Sequence, residues 1–165
     1  MTAPSWKEPP DGSRSALHRA RGDDPLRPHP RRHRKRPHRV QGIPYAAPPV
    51  GSLRWLPAQP HPGCNGTLDA TAYSPSAPQA VREGDPVLGS HGLPPFDEDC
   101  LTLNVWTPGT DDAGRPVLVW IHGGAFISGS AAMPHYSGET FARDGDLVVV
   151  NPNHRLGPLG LLHFE

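Results

Sequence analysis

The chain has 165 residues, with 16 basic and 16 acidic side chains. This length favours one domain, and no apolar run approaches the roughly 20 residues that a membrane-spanning helix requires. Hydrophobic residues make up only 35% of the chain and prolines number 23, which predicts a modest core with many irregular segments.

The first part of the chain, residues 1–39, is strongly basic. Residues 1–40 contain 11 Lys/Arg against 4 Asp/Glu, whereas residues 41–165 contain 5 against 12. Seven of the basic residues lie between Arg27 and Arg39, and seven prolines interrupt any helical or strand periodicity. Low hydrophobicity and clustered like charge cannot offset the conformational entropy of folding. The sequence therefore predicts that residues 1–39 form a disordered basic segment.

Residues 40–165 have the composition of a folded domain. Within them, residues 40–95 are rich in Pro, Gly, Ala and Ser and contain only short segments suited to strands. Large apolar side chains occur at intervals in this stretch, and we expect them to pack irregular loops against a core. They are Tyr45, Leu53, Trp55, Leu56, Leu68 and Tyr73.

Three strands and one helix are predicted after residue 95. Residues 101–106 alternate apolar and polar side chains, which is typical of a half-buried antiparallel strand. Residues 117–121 and 147–150 are continuously apolar, as in strands covered on both faces. A short helix over 136–144 would join them into a βαβ unit. The fold class is therefore α/β with a mostly parallel sheet.

The residues directly after the second predicted strand carry the main chemical signal. They are His122, Gly123, Gly124, Ala125 and Phe126. A strand that ends in small residues leaves backbone N–H groups that a ligand can approach closely. An acyl-transfer enzyme uses such groups to hold the negative oxygen of a tetrahedral intermediate. No Gly-x-Ser-x-Gly motif occurs in the 165 residues, so the nucleophile that these donors would serve is missing.

The chain contains two cysteines, Cys64 and Cys100. They could form one disulfide, but no apolar signal-peptide core follows Met1, so we favour two reduced thiols in a cytoplasmic protein. The ten histidines show no HExxH or other metal-binding spacing. We therefore expect no metal and no cofactor.

Four landmarks in the correct order resemble the type-B carboxylesterase family of α/β-hydrolases, which includes the cholinesterases. They lie at residues 42–55, 98–106, 120–126 and 153–160. The resemblance covers residues 40–165, which is only the N-terminal portion of a family member. It implies an incomplete α/β-hydrolase sheet that contains the first strands of the domain.

The resemblance also implies a serine esterase that works through an acyl-enzyme. Gly124 and Ala125 match the family's oxyanion-hole donors, and Gly123 is expected to relieve the turn where the strand ends. The serine, acid and histidine of the triad match no position of this chain. We therefore expect a carboxylic ester substrate only if a separately encoded C-terminal remainder completes the domain, and no activity from this chain alone.

The resemblance assigns structural roles to three further charged residues. In the family, residues at the positions of Arg54 and Glu98 form a buried ion pair that ties the N-terminal loop to the sheet. From the residues alone, two solvated charges would be the simpler interpretation. Arg155 is expected to have an analogous structural role, with a partner outside this chain.

Two positions depart from the family pattern. Many relatives have a cysteine at the position of Ala77 that bridges to the position of Cys100, so here Cys100 is expected to be a buried free thiol. His154 stands where the family usually has tyrosine, and we interpret it as a tolerated substitution rather than a metal ligand.

The basic run has three competing interpretations. It could bind nucleic acid or another anionic surface, but it lacks interleaved aromatic residues and an adjoining reader domain. It could be a solvated tail. We favour a third interpretation, translation from the wrong reading frame, because family members have short strands in this place. If so, another frame of the coding DNA upstream of Gln41 should restore strand-like sequence.

A non-enzymatic role is the alternative to the esterase assignment. The chain would then be a gene remnant or an interaction fragment. In either case the first strands of a sheet, taken alone, would expose apolar faces and an unpaired edge, which predicts aggregation or a molten state.

Overall fold

The structure is a computed structural model that describes residues 36–80 and 93–162. The predicted disorder of the basic segment, the interpretations of its run and any binding by it lie outside the described residues, apart from residues 36–39. Of those, His38 and Arg39 already belong to the first strand, so the sheet begins two residues before the boundary predicted from composition.

Within these residues, four strands form one mixed sheet in the order β1-β2-β4-β3. The strands are β1 (His38–Pro44), β2 (Thr102–Thr107), β3 (Val117–Val119) and β4 (Val148–Pro152). β2 pairs antiparallel with both β1 and β4, whereas β3 and β4 are parallel. The predicted antiparallel strand and the predicted parallel βαβ unit are both confirmed. The described part of the sheet is not mostly parallel, contrary to the prediction, because two of its three pairings are antiparallel.

The helix of this βαβ unit packs on the sheet through one small face. α1 spans Glu139–Gly145, and a 3-10 turn at Pro134–Tyr136 precedes it, so the predicted helix is divided into two short pieces. Ala142 of α1 is buried in one cluster with Trp106 of β2 and Val149 of β4. Every second side chain of β2 is buried, but the buried set is Thr102, Asn104 and Trp106, whereas Leu103 and Val105 are only partly buried. The apolar–polar alternation therefore predicts the strand but not which of its faces is buried.

A second apolar cluster holds the loops against the end of the sheet. Its members are Ala46, Ala77, Cys100, Leu101 and Leu156. Leu156 immediately precedes the second helix, α2 (Gly157–Leu161), and a 3-10 turn at Gly51–Leu53 lies in the N-terminal loop. Cys100 is a buried free thiol, as predicted, and Cys64 is free and exposed.

β3 does not have the two-sided cover that its apolar sequence predicts. Val117, Val119 and Ile121, on and just after this strand, are all exposed. The reason is that α1 packs mainly against β2 and β4 rather than against β3. β3 also lies at the end of the strand order, where β4 is its single neighbour within the described part of the sheet. The exposed edge agrees with the expectation for the first strands of a sheet taken alone.

The helices are short throughout the described ranges. Neither α1 nor α2, nor any other helix in residues 36–80 and 93–162, is long and apolar enough to cross a membrane.

Candidate oxyanion site

The candidate site lies where β3 and β4 end. Because the two strands are parallel, the segments that follow them leave the sheet at the same edge. His122 follows β3 and His154 follows β4, and their rings stack with centroids 4.4 Å apart and an interplanar angle of 9°. His122 is buried, whereas the preceding Ile121 is 65% exposed, so the chain turns inward at this point.

The backbone after His122 reverses direction through three residues with positive φ. Gly124, Ala125 and Phe126 have φ values of 126°, 52° and 62°. The carbonyl oxygen of Gly124 accepts hydrogen bonds from the backbone N–H groups of Ile127 at 3.0 Å and Ser128 at 3.1 Å. We call residues 122–128 the oxyanion loop.

Both candidate donors belong to peptide groups whose carbonyl oxygens are held. The C=O of Gly123 and the N–H of Gly124 share one planar peptide group, as do the C=O of Gly124 and the N–H of Ala125. The Gly123 oxygen accepts a hydrogen bond from Nδ1–H of His122 at 2.9 Å. Since C=O and N–H point in opposite directions, fixing the two oxygens aims both N–H groups away from the loop.

The N–H groups of Gly124 and Ala125 are not used by the sheet. Across residues 36–80 and 93–162, neither group donates a hydrogen bond. Backbone pairing at this end of β3 stops with the N–H of Trp120, which donates to Val150 at 2.8 Å. Two adjacent and oriented N–H groups that have no partner among the described residues are chemically suited to donate hydrogen bonds to an anionic oxygen.

Glycine is required at Gly124 rather than at Gly123. A Cβ added to Gly124 would lie 1.8 Å from the backbone oxygen of Ser128, and the φ value at this residue disfavours other L-residues. Gly123 has no positive φ, and a Cβ there would meet only the hydroxyl of Tyr136 at 3.6 Å. The turn that the sequence analysis placed at Gly123 therefore begins one residue later.

The ring of His122 is electrostatically neutral in its preferred state. Burial lowers the pKa of His122 below its ordinary value, the hydrogen bond to Gly123 acts in the opposite direction, and the nearby His154 lowers it further. A carbonyl oxygen can only accept, so Nδ1 carries the proton in this contact. In the neutral ring, the hydrogen bond to the Gly123 oxygen therefore requires the tautomer with its proton on Nδ1.

The predicted pair of Arg54 and Glu98 forms, but it is not buried. The Nε and Nη2 groups of Arg54 donate to the two carboxylate oxygens of Glu98, both at 2.6 Å, and the side chains are 41% and 24% exposed. Hydrogen bonding to Glu98 raises the pKa of Arg54. The pair joins the N-terminal loop to the segment before β2 as expected, but water reaches it on one side.

Arg155 contacts the same N-terminal loop. Its Nη1 group donates to the backbone oxygen of Leu56 at 2.9 Å. The expected partner outside this chain stays a prediction. A shallow depression of about 220 Å³ lies beside the contact of Arg155 with Leu56, and none of its lining residues belongs to the oxyanion loop. The lining residues include Arg54, Glu98, Arg155 and Cys100. Burial raises the pKa of the Cys100 thiol to about 11, so this group is a poor nucleophile.

No metal centre is evident in the part of the chain that the structure describes. Its residues include no group of three or more His, Cys, Asp or Glu side chains that could hold a metal ion. His154 stacks on His122 and its Nδ1 lies 3.0 Å from the carbonyl oxygen of Arg155.

A buried polar network that the sequence does not predict lies behind the oxyanion loop. Ser130 accepts a hydrogen bond from the hydroxyl of Ser76 at 2.8 Å, and Asn153 accepts one from the N–H of Ala131 at 2.8 Å. Gln79 bonds to Gly129. Isolated serines and amides have no periodicity that distinguishes a buried residue from a surface one. Asn153 lies within a family landmark, but that pattern carries no information about its partners.

The comparisons with known proteins agree with this geometry. A sequence model described as the carboxylesterase family matches residues 30–165. The chain belongs to the carboxylesterase family.

Its relatives within this family include bacterial hydrolases. The chain is 63% identical over 123 residues to phenmedipham hydrolase of Pseudarthrobacter oxydans, covering 74% of this chain and 25% of the relative. It is 46% identical over 128 residues to para-nitrobenzyl esterase of Bacillus subtilis (strain 168), covering 78% and 26%. The chain thus spans about a quarter of the length of these curated relatives.

Solved esterase structures share the fold of the described residues. A PNB esterase structure superposes with a TM-score of 0.71 at 45% identity, covering 78% of this chain and 26% of the other. A carboxylesterase of Geobacillus stearothermophilus gives a TM-score of 0.66 at 44% identity, covering 76% and 24%. The mixed sheet is therefore an incomplete α/β-hydrolase sheet that contains its first strands.

Proposed function

We propose that this chain supplies the N-terminal part of a serine carboxylesterase, with the N–H groups of Gly124 and Ala125 as oxyanion-hole donors. The observation that carries the proposal is the orientation of these two groups. Both are unpaired among the described residues, while the carbonyl oxygens of their peptide groups are held by His122, Ile127 and Ser128.

The chemistry follows from where charge develops during ester cleavage. Attack on the ester carbonyl moves negative charge onto its oxygen, and donors that are already oriented stabilise that charge without reorganisation. Removing one such donor costs about 3–4 kcal/mol of transition-state stabilisation in well-studied acyl-transfer enzymes. Both donors belong to the turn with positive φ at Gly124 and Ala125.

The chain is proposed to be inactive alone. No Gly-x-Ser-x-Gly motif occurs in its 165 residues, and an oxyanion hole without a nucleophile gives only a residual rate effect. The serine, acid and histidine would come from the part of the domain that this chain does not match. A separately encoded remainder is one source of that part.

The proposed substrate class is a small carboxylic ester. The relatives are named as a phenmedipham hydrolase and a para-nitrobenzyl esterase, and both names describe hydrolytic enzymes. A cytoplasmic location is proposed because Cys100 is a free buried thiol and Ala77 stands beside it in the same apolar cluster.

The test uses the chain alone and the chain completed by a relative. Hydrolysis of a p-nitrophenyl ester by the purified chain should not exceed the buffer rate. A fusion in which residues 40–162 replace the matching quarter of phenmedipham hydrolase should hydrolyse the ester. A serine-reactive phosphonate should abolish this activity.

A Gly124→Ala change in the active fusion should lower kcat by about 100-fold or more, because the added Cβ would displace the peptide that carries the donor. Phosphonate-sensitive turnover by the isolated chain would contradict the proposed inactivity. A folded but inactive fusion would contradict the esterase assignment and favour the non-enzymatic alternative.

A further inference from the structure

The oxyanion loop is continued by a short segment that has no regular secondary structure of its own. We call residues 129–132 the support segment. Side chains from outside hold it: Ser76 bonds to Ser130, and Asn153 bonds to the N–H of Ala131. Loss of one of these contacts is therefore expected to increase local opening of the oxyanion loop.

Gln79 makes the most complete of these contacts. Its Oε1 accepts a hydrogen bond from the N–H of Gly129 at 2.7 Å, and its Nε2 donates to the carbonyl oxygen of Gly129 at 2.8 Å. The Nε2 group also donates to the carbonyl oxygen of Ala77 at 3.0 Å. Both polar atoms of the side chain are therefore used, and the amide pairs with Gly129 as a neighbouring strand would.

Gly129 transmits this restraint to the oxyanion loop through a close approach. A Cβ at Gly129 would lie 2.4 Å from the carbonyl oxygen of Gly123 and 2.5 Å from Nδ1 of His122. Gly129 is thus in direct contact with the hydrogen bond that fixes the first donor peptide. The backbone N–H of the preceding Ser128 donates to the carbonyl oxygen of Gly124, and this hydrogen bond fixes the second donor peptide.

We propose that Gln79 is a positioning residue that sets the direction of the oxyanion donors by pairing with Gly129. The inference rests on the proposed function, since it assigns Gln79 to the same site. Gln79 touches no candidate donor itself and acts through Gly129, Ser128 and His122. Losing its side-chain amide should free the support segment and let the Gly123 and Gly124 carbonyl oxygens leave their partners.

The first test measures amide hydrogen exchange in the 165-residue chain. Gln79→Met keeps the length of the side chain and removes its hydrogen bonds. We expect exchange at the N–H groups of Gly129 and Ser128 to accelerate by about tenfold to 100-fold, since the joint loss of several neutral hydrogen bonds shifts the local opening equilibrium toward the open state by about this factor. Exchange in the core strand β4 should stay unchanged.

Gln59→Met is the matched control. Gln59 is exposed, and its Nε2 group donates only to the nearby carbonyl oxygen of Pro57, so the same substitution there should leave the oxyanion loop unaffected. Equal exchange at Ser128 in wild type and Gln79→Met would overturn the inference.

Gln79→Glu provides a graded second variant. A carboxylate keeps the acceptor for the N–H of Gly129 but places a negative oxygen against the carbonyl oxygens of Gly129 and Ala77. Protection of the Gly129 amide should fall in the order Gln, Glu, Met. If exchange in β4 also accelerates in Gln79→Met, that variant is globally destabilised. The test then uses Gln79→Glu: faster exchange at Ser128 with unchanged exchange in β4 supports the inference, and unchanged exchange at Ser128 overturns it.

The second test separates this inference from the proposed function. In the fusion described above, Gln79→Met should lower kcat by about tenfold to 100-fold with KM changed by less than about threefold, because misplaced donors weaken transition-state binding rather than substrate binding. An inactive wild-type fusion would refute the function. An active fusion that Gln79→Met leaves unchanged would refute only the positioning role.

Discussion

Two regions of this molecule invert the usual distribution of side chains. Around β3, apolar residues are exposed: Val117, Val119 and Ile121 all face solvent. Behind the oxyanion loop, polar residues are buried, including Ser76, Ser130 and Asn153. The apolar region lacks a covering layer among the described residues, whereas the polar region has its hydrogen bonds made within the chain.

The difference shows which part of the domain finds its packing and hydrogen-bond partners among the described residues and which part does not. Buried polar groups are tolerated only when they are hydrogen-bonded, and the support segment meets this condition with partners from this chain alone. Exposed apolar strands are stable only when something covers them. Within residues 36–80 and 93–162, the polar region therefore has its own hydrogen-bond partners, whereas the β3 side is left uncovered.

The largest expected effect compares two tryptophans. Trp106 in β2 is 2% exposed, whereas Trp120 at the end of β3 is 44% exposed. Trp106→Ala should lower the free energy of unfolding by about 3–5 kcal/mol through lost burial and the cavity left behind. Trp120→Ala should cost about 1 kcal/mol or less, mainly from its ring contact with Tyr136.

Urea unfolding followed by far-ultraviolet circular dichroism, at a protein concentration below the onset of aggregation, measures both variants. If Trp120→Ala costs as much as Trp106→Ala, the β3 side is covered in solution, by a second copy or by another segment, and the contrast between the two regions disappears.

A smaller effect is expected from two serines near the support segment. The hydroxyl of Ser130 bonds to Ser76 and to the N–H of Ala132, and Ser130→Ala leaves both without this partner. Stranding buried polar groups in this way should cost about 1–3 kcal/mol. The exposed hydroxyl of Ser128 makes a 3.3 Å bond to Gly124, so Ser128→Ala should cost about 1 kcal/mol or less.

The same unfolding measurement compares the serine variants. Equal losses would mean that the Ser130 network is open to water, and the buried polar region would then contribute no more than a surface contact.

The elements with periodic sequences could be predicted, whereas the contacts between loops could not. The alternation at residues 101–106 and the apolar runs around Val119 and Val149 predict β2, β3 and β4, because side-chain period reports directly on backbone state. Burial of β3 could not be predicted, since it depends on which element lies beside the strand. The positions of Gly124 and Ala125 came from a family pattern, but their φ values did not.

The partners of Arg54 and Gln79 show the same limit in the candidate site. Arg54 and Glu98 are 44 residues apart, and their pairing was expected only through the family resemblance. Gln79 and Gly129 are 50 residues apart, and no short-range pattern links them. Contacts of this kind are set by the packing of loops on the sheet, which local propensity does not encode.

The smallest expected effect concerns His122, which lies where the exposed strand meets the buried polar region. Burial lowers its pKa below the ordinary value of 6.5. The unfolded chain therefore binds a proton at a higher pH than the folded chain does, and the free energy of unfolding falls as the pH falls between 6.5 and the lowered pKa. The stabilising contribution is complete above 6.5 and is lost as the pH falls through the lowered pKa.

Urea unfolding of wild type and His122→Asn between pH 8 and pH 5 isolates this contribution. Asparagine keeps an N–H donor for the Gly123 oxygen but does not titrate, so the variant should lose stability less steeply on acidification than wild type does. His38→Asn, at an exposed position of β1, is the control for introducing an asparagine in place of a histidine. Identical acid profiles for wild type and His122→Asn would mean that water reaches the imidazole in solution, and His122 would then belong with the exposed β3 side of the molecule rather than with the buried polar side.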